Sequence, residues 1–258
     1  MKTRNLIIPI LAILMLMSCG SRKNLVYFQD EPLDGGVLMS EPKQIIYKPD
    51  DLLTINVSAL DPDTVKPFNL PVVANNSGSV TSAQGAVQVQ TYLVDYNGNI
   101  NFPVLGKLKV SGLNRTELTA FLVERISEYA SNPIVNVRLA NFTITILGEV
   151  SNRGTFTIED ERITLLEALG LAGDLTIFGK RKNVLLIREI DGKKKFAKVD
   201  LTTVNAVNSP VYYLQQNDVI YVEPNNARIR SSTYNQNNGV LISAIGTLTT
   251  IIAVFLVK

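Results

Sequence analysis

The sequence predicts an α+β protein: two domains of short strands, each built around one helix, and an apolar helix at the C-terminal end. Three observations lead there. Short runs in which apolar and polar residues alternate, the pattern of half-buried strands, recur between residues 45 and 225. Two helix starts carry complete capping boxes, Asn114 with Glu117 and Thr164 with Glu167. Residues 239–257 contain no charge and are mostly Ile, Leu, Val and Ala.

Residues 1–18 have the layout of a secretory signal, with Lys2 and Arg4 ahead of an apolar core at residues 6–17 that is too short to span a bilayer. Cys19, the only cysteine, follows directly. Its thiol is the soft nucleophile that takes a thioether-linked diacylglycerol, and cleavage frees its amine for a third acyl chain. Two or more chains anchor stably, whereas one is marginal. Modification also removes the liability of a lone thiol in an oxidising compartment. Residues 19–44, with Pro32, Gly35, Gly36 and Pro42 scattered and no period, are expected to form a tether.

The first domain is expected over residues 45–140. Leu53, Ile55 and Val57 alternate with Thr54, Asn56 and Ser58 as a strand, entered through a turn at residues 47–51. Residues 61–90 are rich in Asn, Ser, Gly, Gln and Pro, and read as a long inserted, solvated loop with at most a short strand near Val87 and Val89. A strand at residues 92–96, an Asn97-Gly98 hairpin turn and a strand at residues 100–103 follow. The helix capped by Asn114 places Leu118, Phe121, Leu122, Ile126 and Tyr129 on one face, which is expected to be core. After Asn132-Pro133, Val135, Val137 and Leu139 mark the closing strand.

The second domain is expected over residues 141–225. Phe142, Ile144 and Ile146 alternate with Thr143 and Thr145, and a turn follows at residues 152–154. The helix capped by Thr164 directs Leu165, Leu166 and Leu169 inward and stops at Gly173. Strands at residues 184–188, 195–199 and 219–222 complete a domain of the β-grasp kind, the first two joined through Asp191-Gly192. Residues 226–238 read as a polar linker. Residues 239–258 are then long enough, at about 1.5 Å per residue, to span about 30 Å of hydrocarbon. Gly239, Ser243, Gly246, Thr247 and Thr250 fall on one face of this helix, as a pore-lining or helix-packing stripe.

Composition excludes several functions. The net charge is +2 with both signs interspersed, so no nucleic-acid partner is indicated. Histidine is absent and the cysteine is committed to lipid, which removes zinc sites, His-dependent triads and Cys nucleophiles. Glu149, Asp160, Glu161, Glu167, Asp174 and Asp218 fall at strand ends, turns and caps, and the glycines form no phosphate-cradling motif. Neither catalysis nor a cofactor or metal is expected. Arg181, Lys182, Lys193, Lys194 and Lys195 read as a solvated basic surface.

The pieces together resemble a known family. Tyr47-x-x-x-Asp51-x-Leu53-x-Ile55-x-Val57, Gly98-x-Ile100-x-Phe102-Pro103-x-x-Gly106, Gly112-Leu113 before a helix, and Asn132-Pro133-x-Val135 are similar to the polysaccharide biosynthesis/export domain of Wza-type outer-membrane translocons. Gly148-Glu149-Val150-x-x-x-Gly154-x-Phe156, the run from Thr164 to Gly173, and Asn217-Asp218-Val219 resemble the soluble-ligand-binding β-grasp (SLBB) module that follows it. Asp50 stands where the family usually has glycine, only one β-grasp module is evident, and the terminal helix is more apolar than an amphipathic stave. The resemblance implies a lipid-anchored subunit of an octamer-like homo-oligomeric ring in the outer membrane. Its body would lie in the periplasm and its C-terminus at the cell surface. The ring would pass capsular or exopolysaccharide through an α-helical barrel, supplied by an inner-membrane copolymerase of the tyrosine-kinase type. The alternatives are a periplasmic ligand-binding lipoprotein and an envelope scaffold.

Overall fold

The computed structural model describes residues 22–30, 44–70, 73–75, 86–88, 90–190, 192–233 and 237–256. The expected signal and Cys19 lie outside these residues. In the first domain, β1 (Leu52–Ser58) is the centre of a three-stranded antiparallel sheet, between β4 (Tyr92–Leu93) and β7 (Ile134–Leu139). Leu53, Ile55 and Val57 are buried, as their period predicts.

The stretch expected to be a solvated insertion is partly built into this domain. After β1 come one helical turn, α1 (Pro62–Val65), and a small antiparallel ribbon of β2 (Val73–Asn75) and β3 (Ala86–Gln88). Val65 and Phe68 are core residues. Asn69 clamps β1, its Oδ1 accepting from Val57 N and its Nδ2 donating to Val57 O, both at 2.8 Å. Two isolated apolar residues among polar ones form no period, which is why the pattern missed them.

The Asn97-Gly98 turn is present, with Gly98 N donating to Asp95 O at 2.7 Å. Its second strand takes a ladder partner downstream instead: β5 (Asn99–Phe102) pairs with β6 (Gly106–Lys109). Next, α2 (Arg115–Ile126) starts with both halves of its predicted capping box and buries Leu118, Leu122 and Ile126. Tyr129, expected in the core, is 54% exposed, because the helix ends at Ile126 and the stripe ends with it.

The second domain is a five-stranded mixed sheet crossed by one helix, α3 (Leu165–Leu171), the arrangement expected of a β-grasp domain. Its strands are β8 (Thr143–Gly148), β9 (Gly154–Thr157), β10 (Gly179–Ile190), β11 (Lys193–Val199) and β12 (Val219–Pro224), in the spatial order β11-β10-β12-β8-β9. The β12–β8 pair is parallel and the others are antiparallel. Leu165, Ala168 and Leu169 close over Ile144, Ile146, Leu186, Ile220 and Val222. Each fully buried aliphatic side chain of this kind contributes about 1.5–3 kcal/mol.

Three expectations change here. The strand expected at residues 184–188 begins at Gly179 and carries Arg181 inward, only 6% exposed, so Arg181 is not part of the solvated surface. Lys182, Lys193, Lys194 and Lys195 are exposed. The linker contains a short helix, α4 (Asn226–Ser232), whose cap Asn225 accepts from Arg228 N at 3.0 Å. Part of the tether is docked: Phe28 N donates to Leu201 O at 3.2 Å and Gln29 N to Thr202 O at 2.7 Å. Beyond the second domain lies α5 (Asn237–Leu256).

The start of β12 is held by a buried ion pair. Arg188 Nε and Nη2 donate to the two Asp218 oxygens at 2.9 and 2.6 Å, and Asp218 is 0% exposed. Arg188 Nη2 also donates to Tyr213 O, and Gln215 N to Asp218 Oδ2. Removing one partner strands the other's charge inside the protein. Asp218→Ala should therefore cost about 3–5 kcal/mol in denaturant unfolding, while Arg188→Met with Asp218→Leu should cost clearly less. Equal losses in both variants would show that packing, not the stranded charge, sets the cost.

Candidate functional site

In the first domain the motif residues build joints. Tyr47 N donates to Leu113 O at 2.9 Å and Gly112 N to Tyr47 O at 3.0 Å, clasping the segment before β1 to the turn before α2. Asp51 is buried at 4% exposure and accepts from Lys48 N at 2.9 Å. Burial pushes its carboxyl up to about 6, against the backbone hydrogen bond and the Lys48 charge, which lower it. Burial likewise pushes the Tyr47 hydroxyl up to about 12.

Asp50 has φ +71°, the left-handed conformation that glycine adopts freely. A non-glycine residue held there strains the backbone. At Gly98, with φ +76°, a Cβ would sit 2.0 Å from the Ser111 hydroxyl. Gly98 O accepts from both Val110 N and Ser111 N at 3.0 Å, so the backbones cannot separate to make room. Pro103 lies in the turn before β6, Gly106 opens that strand, and Pro133 is buried just before β7.

The second-domain motif residues do similar work. A Cβ at Gly148 would meet Val222 O at 2.0 Å, so the close parallel approach of β8 and β12 needs glycine there. Glu149 accepts from Thr176 Oγ1 at 3.0 Å and Arg228 Nε at 3.1 Å, tying the loop before β10 and helix α4 to the sheet. Val150 is buried, Gly154 opens β9, and Gly173 follows the C-cap of α3. Among these motif residues, Tyr47 lines a cavity.

That cavity is a cleft of about 580 Å³ between the domains, bordered by Tyr47, Arg115, Asn136, Arg138, Phe142 and the loop at residues 159–162. Arg115 Nε meets Glu161 Oε1 across it at 2.9 Å, with both side chains more than half exposed. A pair so exposed contributes about 0–1 kcal/mol. The firmer joint is Asn141, whose Oδ1 accepts from Leu52 N at 2.9 Å and whose Nδ2 donates to Asp50 O at 3.0 Å. Among the described residues, no group of three or more His, Cys, Asp or Glu could hold a metal ion.

On α5, Ser243, Gly246, Thr247 and Thr250 are exposed, as are Val240, Ile245, Leu248 and Ile251. Gly239 is partly covered. Thr247 Oγ1 donates to Ser243 O and Thr250 Oγ1 to Gly246 O, both at 2.9 Å. Thr249, which the stripe did not include, donates to Ile245 O at 2.6 Å. These hydroxyl donors are spent on the helix's own carbonyls, and their oxygens face outward as acceptors.

Among the described residues no helix is long and apolar enough to cross a membrane. The C-terminal helix is thus found where the sequence placed it, and a membrane span is not established by it.

Sequence reading missed the inward positions of Arg181 and Arg188 and the bonding of Asn69 and Asn141. For Arg188 a signal was available: period two from Val184 and Leu186 puts it on the buried face.

Residues 39–140 match the family model described as polysaccharide biosynthesis/export protein. Residues 143–222 match the SLBB domain. An export domain in series with a β-grasp module defines the class. The chain carries, in order, the two domains of a Wza-type polysaccharide export protein. It is 27% identical over 212 residues to the EPS I polysaccharide export outer membrane protein EpsA of Ralstonia nicotianae, covering 81% of this chain and 55% of that protein. It is also 27% identical over 174 residues to the protein of the same name from Ralstonia solanacearum, covering 63% of this chain and 46% of that one. The chain thus spans about half the length of the curated relatives it matches.

Two measurements test the joints. The native state holds the Asp51 proton more tightly than the unfolded chain, whose carboxyl lies near 3.8. The stability this contributes is complete below 3.8 and is lost as pH rises through about 6. Asp51→Asn keeps an acceptor for Lys48 N and cannot ionise, so its stability relative to the native sequence should climb across that window and then level off. An unchanged difference from pH 4 to pH 7 would show that Asp51 does not titrate there. Asp50→Gly, which relieves the left-handed strain, should raise unfolding stability by about 1 kcal/mol; a loss of stability would mean that the Asp50 side chain supports the turn.

Proposed function

We propose that the chain is a subunit of an outer-membrane channel that exports capsular polysaccharide or exopolysaccharide from the periplasm to the cell surface. In this reading Cys19 carries the lipid anchor and the two folded domains stand in the periplasm. Copies assemble into a homo-oligomeric ring, each giving one C-terminal helix to an α-helical barrel. An inner-membrane copolymerase of the tyrosine-kinase type supplies the polymer, and the chain itself catalyses nothing. The names of the Ralstonia relatives support export and the outer membrane.

The observation that carries the barrel is α5 itself. It follows the β-grasp module and has no charged residue, and its 20 residues would reach about 30 Å at 1.5 Å per residue. Its apolar side chains at Val240, Ile245, Leu248 and Ile251 are exposed among the described residues. In hydrocarbon every polar group needs an internal partner, and the threonine hydroxyls have theirs. Ser243, Thr247 and Thr250 then form the face toward the lumen. Their outward oxygens exchange hydrogen bonds with a hydrated polymer without holding it tightly, as a conduit requires.

The interdomain cleft favours a second reading, a periplasmic lipoprotein that holds a small ligand, because about 580 Å³ lies in the range of small-molecule sites. The two readings separate in one experiment. A tag placed after Lys258 should be accessible on intact cells, and the protein extracted in mild detergent should have the native mass of a ring. Leucine at both Ser243 and Thr247 should reduce surface polysaccharide without disrupting that ring. An inaccessible tag on a monomer would falsify the channel.

A further inference from the structure

The N-terminal segment passes over the first domain in sequence and docks on the second. Its Tyr27 ring lies 5.5 Å from the guanidinium carbon of Arg181, and its hydroxyl donates to Asp174 Oδ1. Arg181 is buried yet has no carboxylate within ion-pair distance among the described residues. Its side chain donates to the carbonyls of Thr176, Gly179 and Leu175, and its Nε has no partner. A buried cation held only by carbonyls gains most from a desolvated aromatic face, so Tyr27 closes an environment that is otherwise incomplete. Asp30 adds a further tie, accepting from Val204 N at 2.6 Å.

The loop at residues 174–179 that Tyr27 grips is also the seat of α4. Asn225 N donates to Phe178 O at 2.7 Å, Asn225 Nδ2 to Ile177 O at 3.2 Å, and Arg228 lies over the Phe178 ring at 5.5 Å. Strap, loop and α4 therefore meet at the end of the sheet where β12 finishes and the chain leaves for α5. This shared end carries exposed apolar side chains from all three elements: Leu25 at 42%, Val26 at 37%, Ile177 at 65% and Ile229 at 47%. Lys23 on the strap and Arg230 on α4 are exposed, as is Arg228, which is paired with Glu149. Exposed aliphatic residues interspersed with cations are the composition of a surface that rests on anionic lipid headgroups.

We propose that this end of the second domain is a lipid-contacting surface, on which residues 22–30 form a strap, locked by Tyr27 against Arg181 and Asp174, that seats Leu25 and Val26 beside Ile177 and Ile229. Arg22 is three residues from Cys19, so the lipid would lie within about 11 Å of the strap's start, and about 14 Å of chain separates Thr233 from α5. The lipid and the helix then enter one membrane side by side. This rests on the membrane reading of Cys19 and α5.

The absence of tryptophan makes a clean test. Single reporters Leu25→Trp, Ile229→Trp, Leu248→Trp and Tyr96→Trp are placed in the full lipidated chain and reconstituted in vesicles of phosphatidylethanolamine and phosphatidylglycerol containing brominated phosphatidylcholine. Tyr96, on the first domain, is 92% exposed and serves as the reporter away from lipid. The expected result is quenching at positions 25, 229 and 248 and none at 96. Quenching at 248 with none at 25 and 229 overturns the lipid-contacting surface while leaving the helix reading intact. Quenching at 25 and 229 with none at 248 upholds the surface and removes the helix span. Adding Tyr27→Ala to Leu25→Trp should cut the quenching at 25 by about half or more, by freeing the strap, and leave that at 229 unchanged. Unaltered quenching at 25 would show that Tyr27 is not the lock.

Discussion

Strands β8 and β12 are separated by the whole of the second domain in sequence, yet they lie side by side and parallel, with Val219 opposite Thr145 and Val222 opposite Gly148. Parallel pairing makes the first and last strands of the domain run in one direction. The chain therefore enters at one end of the sheet and leaves at the other. The first domain hangs from the entering end through Asn141, and α4 and α5 depart from the opposite end, about 20 Å away at the usual rise of a six-residue strand. The pair can form only because Gly148 admits the Val222 carbonyl where a side chain would stand. The Arg188–Asp218 ion pair fixes where β12 begins.

The buried charges among the described residues fasten the fold. Arg188 with Asp218 pins a strand, Arg181 gathers the carbonyls of a loop and the ring of a distant strap, and Asp51 closes a turn against Lys48 N. These groups are costly to bury, and each is used where two stretches far apart in sequence, or a sharp turn, must hold one geometry. The family's motif residues follow the same logic. Tyr47, Gly98, Gly148 and Glu149 stand at joints, so their pattern reports the fold, while the surfaces that would touch lipid or polymer are made of ordinary aliphatic and hydroxyl residues.

Much of the local architecture was legible in the sequence. Both capping boxes close as their spacing predicted, because a cap depends only on residues three apart. The alternating strands bury the side predicted for them, because period two is a local property of extended backbone. Reading failed where a single residue acts at long range. Phe68 and Val65 enter the core from a polar stretch, Tyr129 drops out of a stripe that outlasts its helix, and β5 chooses β6 over β4.

The sequence by itself determined the two capped helices, the alternating strands and the uncharged helix at the C-terminal end, since each is written in neighbouring residues. The tertiary structure alone decided that the strap at residues 22–30 belongs to the second domain, that Arg181 is buried beneath Tyr27, and that strap and α4 share one loop. The strap's relations join positions about 150 residues or more apart, such as Tyr27 and Asp174. No local pattern encodes them, because the energy of burying a cation beneath an aromatic ring exists only once the sheet has brought the two together.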